Sequence, residues 1–392
     1  MNRRERFLTA MAGGVPDRVP ATPDISNYIP AMRTGLPFWD IYFFEAYPLW
    51  KAYLDAADYF GIDSWINSCW FAPLVYAPRD ELEEKVEIRW EKDRDAMIRR
   101  TVVRGPAGAI SSERTCFRFD PPTPTEKPIK DLERDWPAYR ALIKRMPVGL
   151  DAESIADARS ECAKREVAFG IGVGYPGLHG WFGAVEHGME QLSYAAYDRS
   201  PILDEWYDID LARGDRHLDL AMAEKPDYIL FGGSGTLTLS SPEFVRRYTI
   251  PALKRWTAKT KAAGIPTLLH SCGRSRDLVD MLGAETDLDC VNPLEIAPMG
   301  DVDLAEVKRA WGHKLAFMGN LHTTDIMLRA DPDTVYKTAR QAIRDAGQGG
   351  GFILSTGDQC PRDTPEENLF ALVRAAQEHG VYDKSTGKLA NP

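Results

Sequence analysis

PTLLHSCGRSRDLVDMLGAETDLDCVNPLE, residues 266–295, holds one full turn of the pattern that organises this chain. An apolar run ends at His270, a helical stretch follows, and a second short run, Leu288–Asn292, succeeds it. Strands separated by a helix belong to parallel βα units. The same alternation extends in both directions. Runs at Val167–Val173, Asp227–Phe231, Leu315–Gly319 and Gly351–Ser355 bring the count from about residue 165 onward to six. Two more strand candidates lie upstream, near Arg18–Thr22 and near Ile62–Asn67. Eight βα units most simply close into a (β/α)8 TIM barrel, a fold of typically ~250 residues before insertions. A doubly wound open sheet is the alternative, but no strand is followed by G-x-G-x-x-G or G-x-x-x-x-G-K-[ST].

The helices carry their own start signals. Ser241-Pro242 and Asp331-Pro332 set a cap residue before a proline. Thr364-Pro365-Glu366-Glu367 reads as a cap with a capping-box glutamate. The N-terminal extension, MNRRERFLTAMAGG, reads as a short amphipathic helix through Phe7, Leu8 and Met11, stopped by Gly13-Gly14; it lacks the apolar core of a signal peptide. From 78 to 120 the apolar period changes to two, as in Val86, Ile88 and Trp90. This predicts a small antiparallel β-meander inserted into one 1–392 barrel domain, followed by a proline-rich linker, DPPTPTEKP. It is expected to serve as a lid or a docking surface.

The formal net charge of −10 argues against nucleic acid as a partner, and no apolar run is long enough for a membrane span. Six cysteines without regular spacing suit a reducing, cytoplasmic setting.

In a (β/α)8 barrel the working face is the C-terminal end of the strands. His270 and Cys272 lie at one strand end, Glu295 just past the next, Asn320 and His322 past another, and Cys360 past the last. Histidine with two cysteines is a zinc set, and the absence of any C-x-x-C argues against a structural knuckle. The expected metal ligands are therefore His270, Cys272 and Cys360, with Glu295 as a carboxylate candidate. Strand-end position alone makes Asp24, Asn27, Tyr28, Asp63, Tyr175, His179, Asn320 and His322 substrate candidates.

LLHSCGRSRDLVDML, NPLEIAPMGDVDLAEVK, AFMGNLHTTDI and STGDQCPRDTPEENLFALV resemble the uroporphyrinogen decarboxylase superfamily, in its branch of zinc-dependent corrinoid methyltransferases. The resemblance runs through most of the chain and is strongest from about 225 to 382. It implies a (β/α)8 barrel with Zn2+ on a His-x-Cys pair and a distant Cys, here His270, Cys272 and Cys360. The spacing is also similar to that of cobalamin-independent methionine synthase, whose zinc set includes a glutamate between the cysteines; Glu295 falls at the matching place. The implied reaction moves a methyl group between a small methylated substrate, a methoxy compound or a thiol, and a corrinoid. No histidine fits the carrier motif D-x-H-x-x-G, so the corrinoid is expected on a separate partner protein.

Two other readings follow from the same residues. One is a metal-independent decarboxylase of the uroporphyrinogen decarboxylase type, acting on a small carboxylated substrate through Asp63 and Tyr175. The stretch RVPATPDISNYIPAMRTG lacks the arginine cluster with which that enzyme grips its substrate. The other is a metal- or corrinoid-binding accessory protein without turnover.

Overall fold

Thirteen strands are named here in chain order: β1 (Trp65–Asn67), β2 (Leu74–Tyr76), β3 (Glu83–Glu91), β4 (Ala96–Gly105), β5 (Gly108–Phe117), β6 (Thr123–Glu126), β7 (Pro147–Leu150), β8 (Ala168–Gly174), β9 (Tyr228–Gly232), β10 (Thr267–His270), β11 (Cys290–Asn292), β12 (Ala316–Leu321) and β13 (Phe352–Thr356). The computed structural model describes residues 1–67, 74–78, 81–383 and 385–390. Seven of the strands form one parallel sheet in the order β1-β8-β9-β10-β11-β12-β13. The segment 20–22 closes it. Leu354 N–H donates to Pro20 O at 2.9 Å, Thr22 N–H to Leu354 O at 2.8 Å, and Asp63 N–H to Ala21 O at 2.9 Å. This segment therefore bonds to β13 on one side and leads into β1 on the other, as the eighth stave of a (β/α)8 barrel.

Helix α1 (Arg3–Met11) seals the N-terminal end. Its Phe7, Ala10 and Met11 join Trp65, Ala168, Tyr228, Leu268, Cys290, Ala316, Met318 and Ile353, drawn from every strand of the parallel sheet, in one fully packed cluster. Phe7 sits 5.9 Å from both the Trp65 and the Tyr228 rings. Burying that one ring is worth about 1.5–3 kcal/mol. Tyr228 reaches across the lumen to Ile66 O at 2.7 Å, and a Cβ on Gly170 would stand 2.2 Å from its ring, so a side chain has no room there.

Asp63 belongs to this lower end. It precedes β1, and its carboxylate takes Arg6 at 2.7 Å, Arg18 at 2.7 Å and Ala21 N–H at 3.0 Å. The ion triad ties α1 and the closing segment to the sheet.

The inserted sheet has the order β3-β4-β5-β6, all antiparallel. Its fourth strand lies inside the proline-rich stretch read as a linker. Pro124 is accommodated because β6 is an edge strand. One face of β4 and β5 docks at both ends. Met97 and Cys116 pack against the helices α2 (Tyr28–Arg33) and α3 (Phe38–Tyr42); Val103 and Ile110 pack on Ala138 of the helix Leu132–Ile143. Ser241 and Asp331 cap their helices as expected, accepting from Phe244 N–H and Thr334 N–H. Thr364 does not. Its hydroxyl donates to Pro361 O at 2.8 Å, which braces the loop after β13, and the helix begins at Glu366.

Candidate metal centre

Alternate residues of a strand share a face, so β10 presents Leu268 and then His270 toward the barrel axis. By the same alternation Asn292 follows Cys290 and Asn320 follows Met318. The axis thus changes from apolar at the bottom to polar at the C-terminal mouth. After His270 the chain turns sharply. Gly273 has φ +80°, and a Cβ there would lie 2.0 Å from Thr238 Oγ1. The turn brings Cys272 back beside His270 and aims the Gly273 N–H at the Glu295 carboxylate, which accepts it.

Three side chains offer ligand atoms that all lie within 4.8 Å of one another: His270, Cys272 and Asp358. Nitrogen, sulfur and oxygen donors at this separation are a donor set that suits zinc. Cys360 and Glu295 do not belong to this trio but adjoin it. Cys360 is buried, and its N–H donates to Asp24 O at 2.8 Å. Glu295 is buried too, and is held by Gly273. Asp358 is the residue the sequence reading missed, although it stands two places before Cys360 in STGDQC. Thr356, whose hydroxyl donates to Asp358 O at 2.6 Å and accepts from Asp24 N–H at 3.0 Å, shapes that loop.

The electrostatics are those of a crowded anionic centre. Burial, and then the Asp358 charge, push the Cys272 thiol up to about 11; the Ser234 hydroxyl, 3.0 Å from Sγ, works against this. Burial pushes the Cys360 thiol up as well, with Asp24 adding to it. The Glu295 carboxyl is raised by burial, against the pull of the Gly273 N–H, and further by Asp358. Asp24 is raised by burial and by Asp358, and is drawn back by hydrogen bonds from Ser26 and, less, by His270. A cation among these groups would oppose these shifts by favouring the charged forms.

The remaining sequence candidates divide by location. Tyr175 follows β8, is buried, and its hydroxyl lies 2.7 Å from Thr236 Oγ1 and 3.2 Å from His270 O. Its ring packs on His179 at 4.6 Å, and burial pulls that imidazole down to about 4. His322 accepts Thr324 N–H at 3.2 Å and Asp325 N–H at 2.9 Å on Nδ1. This places the ring hydrogen on Nε2, which is buried and has no partner among the described residues. Asn320 is buried one residue short of the end of β12. Asn292, also buried at a strand end, has an Oδ1 without a partner among the described residues; the sequence reading passed over it. Asn27 accepts the Tyr42 hydroxyl at 3.2 Å, and Tyr28 opens α2 and packs against the Phe38 cluster. Asp63 sits at the opposite end, occupied by its two arginines.

A C-terminal barrel mouth carrying an N/S/O ligand cluster defines the general class. The uroporphyrinogen decarboxylase (URO-D) family model matches residues 226–379, the span that contains all three clustered ligands. This part of the chain is a URO-D family domain. The chain is 29% identical over 152 residues to a methylated-thiol–coenzyme M methyltransferase of Methanosarcina mazei, covering 38% of this chain and 38% of that protein. It is 32% identical over 137 residues to a uroporphyrinogen decarboxylase of Actinobacillus pleuropneumoniae, covering 35% and 36%. The match thus spans well under half the length of these relatives. Across almost the whole length, 96% of this chain and 99% of the other, the fold is similar to that of a solved methyltransferase from Methanosarcina mazei, with a TM-score of 0.64 at 17% identity. Among the described residues no helix is long and apolar enough to cross a membrane.

Proposed function

We propose that the protein is a zinc-dependent methyltransferase that moves a methyl group between a small methylated substrate, a thiol or a methoxy compound, and a corrinoid carried by a separate protein. The observation that carries this reading is the convergence of His270, Cys272 and Asp358, from two distant loops, at the mouth. The similarity to a methylated-thiol–coenzyme M methyltransferase supports it.

His270, Cys272 and Asp358 would hold the ion, with Glu295 and Cys360 adjoining. When bound, zinc supplies Lewis acidity: it acidifies a coordinated thiol or polarises a coordinated ether oxygen. The chain does the rest. Cys272 would hold the ion as a thiolate, and the Ser234 hydroxyl, 3.0 Å from its sulfur, is placed to donate to it. Tyr175 donates to the His270 carbonyl and so fixes the start of the ligand loop. Gly273 N–H and Glu295 hold the turn that sets Cys272 against His270. The Nε2–H of His322 and the Oδ1 of Asn292 are unused polar atoms at the same end of the barrel, suited to orienting a substrate heteroatom. Asp63, on which the decarboxylase reading relied, is saturated by Arg6 and Arg18 at the far end.

Elemental mass spectrometry of the purified protein tests the reading. About one zinc per chain is expected, lost in Cys272→Ala and in Asp358→Ala; Cys360→Ala decides whether that thiol joins them. Methyl transfer from methylcobalamin to a thiol, or from a methoxyarene to cob(I)alamin, should follow the zinc content. A protein that takes up no zinc after reconstitution would overturn the mechanism.

A further inference from the structure

Between the inserted sheet and the mouth loops lies a crevice of about 800 Å³. Its roof is the middle of the β4/β5 face whose two ends are docked. There Arg99 stands directly opposite Arg114, and Thr101 opposite Ser112. Like charges directly opposite in an antiparallel pair repel, their Cβ atoms only about 4.5–5.5 Å apart. Among the described residues neither guanidinium has an ion-pair partner. The acids nearby are engaged elsewhere: Glu113 lies 3.6 Å from Arg89 and Glu126 lies 2.7 Å from Lys130. Lys127, also lining the crevice, donates to Phe182 O at 2.8 Å. Two unpaired, convergent guanidiniums therefore face a space large enough for a small organic molecule.

The rest of the lining says what that molecule is like. Tyr42, Phe43, Tyr139 and Pro122 give it flat apolar walls. Asn27 and Gly180 give it a floor that leads inward. Gly180 follows His179, whose ring packs on Tyr175, whose hydroxyl meets the His270 carbonyl. On the other side Ser26, next to Asn27, accepts from Gln359 in the loop that carries Asp358.

We infer that this crevice is a substrate subsite for a carboxylate, and that Arg99 and Arg114 together select small molecules with a flat apolar body and a terminal carboxylate. Paired guanidinium groups match the planar, two-oxygen geometry of a carboxylate. The inference rests on the reading of the mouth as a small-molecule site, but it needs no metal and no turnover to be tested.

The probes are 4-methoxybenzoate and 3-(methylsulfanyl)propanoate, each paired with its uncharged amide, in isothermal titration with the full-length protein. At least one acid should bind tenfold or more tightly than its amide. Arg99→Gln and Arg114→Gln should each remove that discrimination, Arg99→Lys should restore part of it, and Arg104→Gln, on the other face of β4, should leave it intact. Neither glutamine variant should melt below wild type, because each relieves a like-charge contact. Acid and amide binding alike, no saturable binding of either acid, or discrimination that survives both glutamine variants would overturn the assignment. Selective binding of an acid by a protein without zinc or methyl transfer would count against the proposed reaction and leave this subsite standing.

Discussion

Replacing Asp63 with alanine separates a structural carboxylate from a catalytic one. Its side chain is 3% exposed, against 11% for Arg6 and 17% for Arg18. Both guanidiniums lie 2.7 Å from it, and it also accepts the Ala21 N–H. Removing one partner of a buried ion pair leaves uncompensated charge, at about 3–5 kcal/mol. Arg6 keeps Asp17 at 2.6 Å, which favours the lower half of that range. Unfolding entropy near 60 °C is about 2.1 cal/mol/K per residue. For 392 residues this is about 0.8 kcal/mol/K, so Asp63→Ala should lower Tm by about 4–5 °C. Scanning calorimetry reads the shift, and elemental analysis of the same sample should show unchanged zinc. A fall in Tm below about 1 °C with loss of activity would refute the structural assignment and return Asp63 to the chemistry.

Other outcomes follow from the same geometry. Phe7→Ala, which empties the plug under the barrel, should cost about 3–5 kcal/mol in denaturant unfolding. Gly170→Ala should cost about 1–3 kcal/mol by the same assay, because the new methyl meets the Tyr228 ring. A chelator should lower the Tm of wild type and leave Cys272→Ala unmoved, since only a protein that binds the ion gains from it. His179 is held down to about 4 from a usual 6.5, so the unfolded chain binds the extra proton between those pH values. Stability is therefore undiminished above about pH 6.5 and falls as pH drops toward 4, by about 2–3 kcal/mol from this residue at pH 4.5. Urea melts at pH 7 and 4.5 should show His179→Phe losing less than wild type over that interval. A slope unchanged by the substitution would remove His179 as its source.

The legible parts of this protein are those that local chemistry writes. Period-two runs, proline-flanked caps and the amphipathic α1 are decided by neighbours in the chain, so six strands from 165 onward, the inserted sheet and the helix starts at Ser241 and Asp331 could be read from residues alone. The place of His270 and Cys272 at a strand end was equally legible, because it depends only on where an apolar run stops. The closing stave was legible as well, as the strand candidate near Arg18–Thr22, which the structure narrows to residues 20–22 bonded to Leu354 of β13. Two things were not. Asp63 looked like a strand-end acid, but it lies before β1 and faces two arginines brought to it by α1 and the closing segment.

The trio of candidate ligands is the second. Asp358 and Cys360 are two residues apart in one loop, and nothing in their order says which meets His270. Hydrogen bonds from Thr356, Thr364 and the Asp24 backbone, spread over more than 300 positions of sequence, turn the carboxylate toward His270 and Cys272 and bury the thiol behind it. The sequence by itself determined the barrel's repeating units and the donor atoms available at its mouth. Tertiary structure decided which donors meet and which charges, such as Arg99 and Arg114, are left facing open space, because a loop's course and a crevice's walls are set by contacts between elements far apart in the chain.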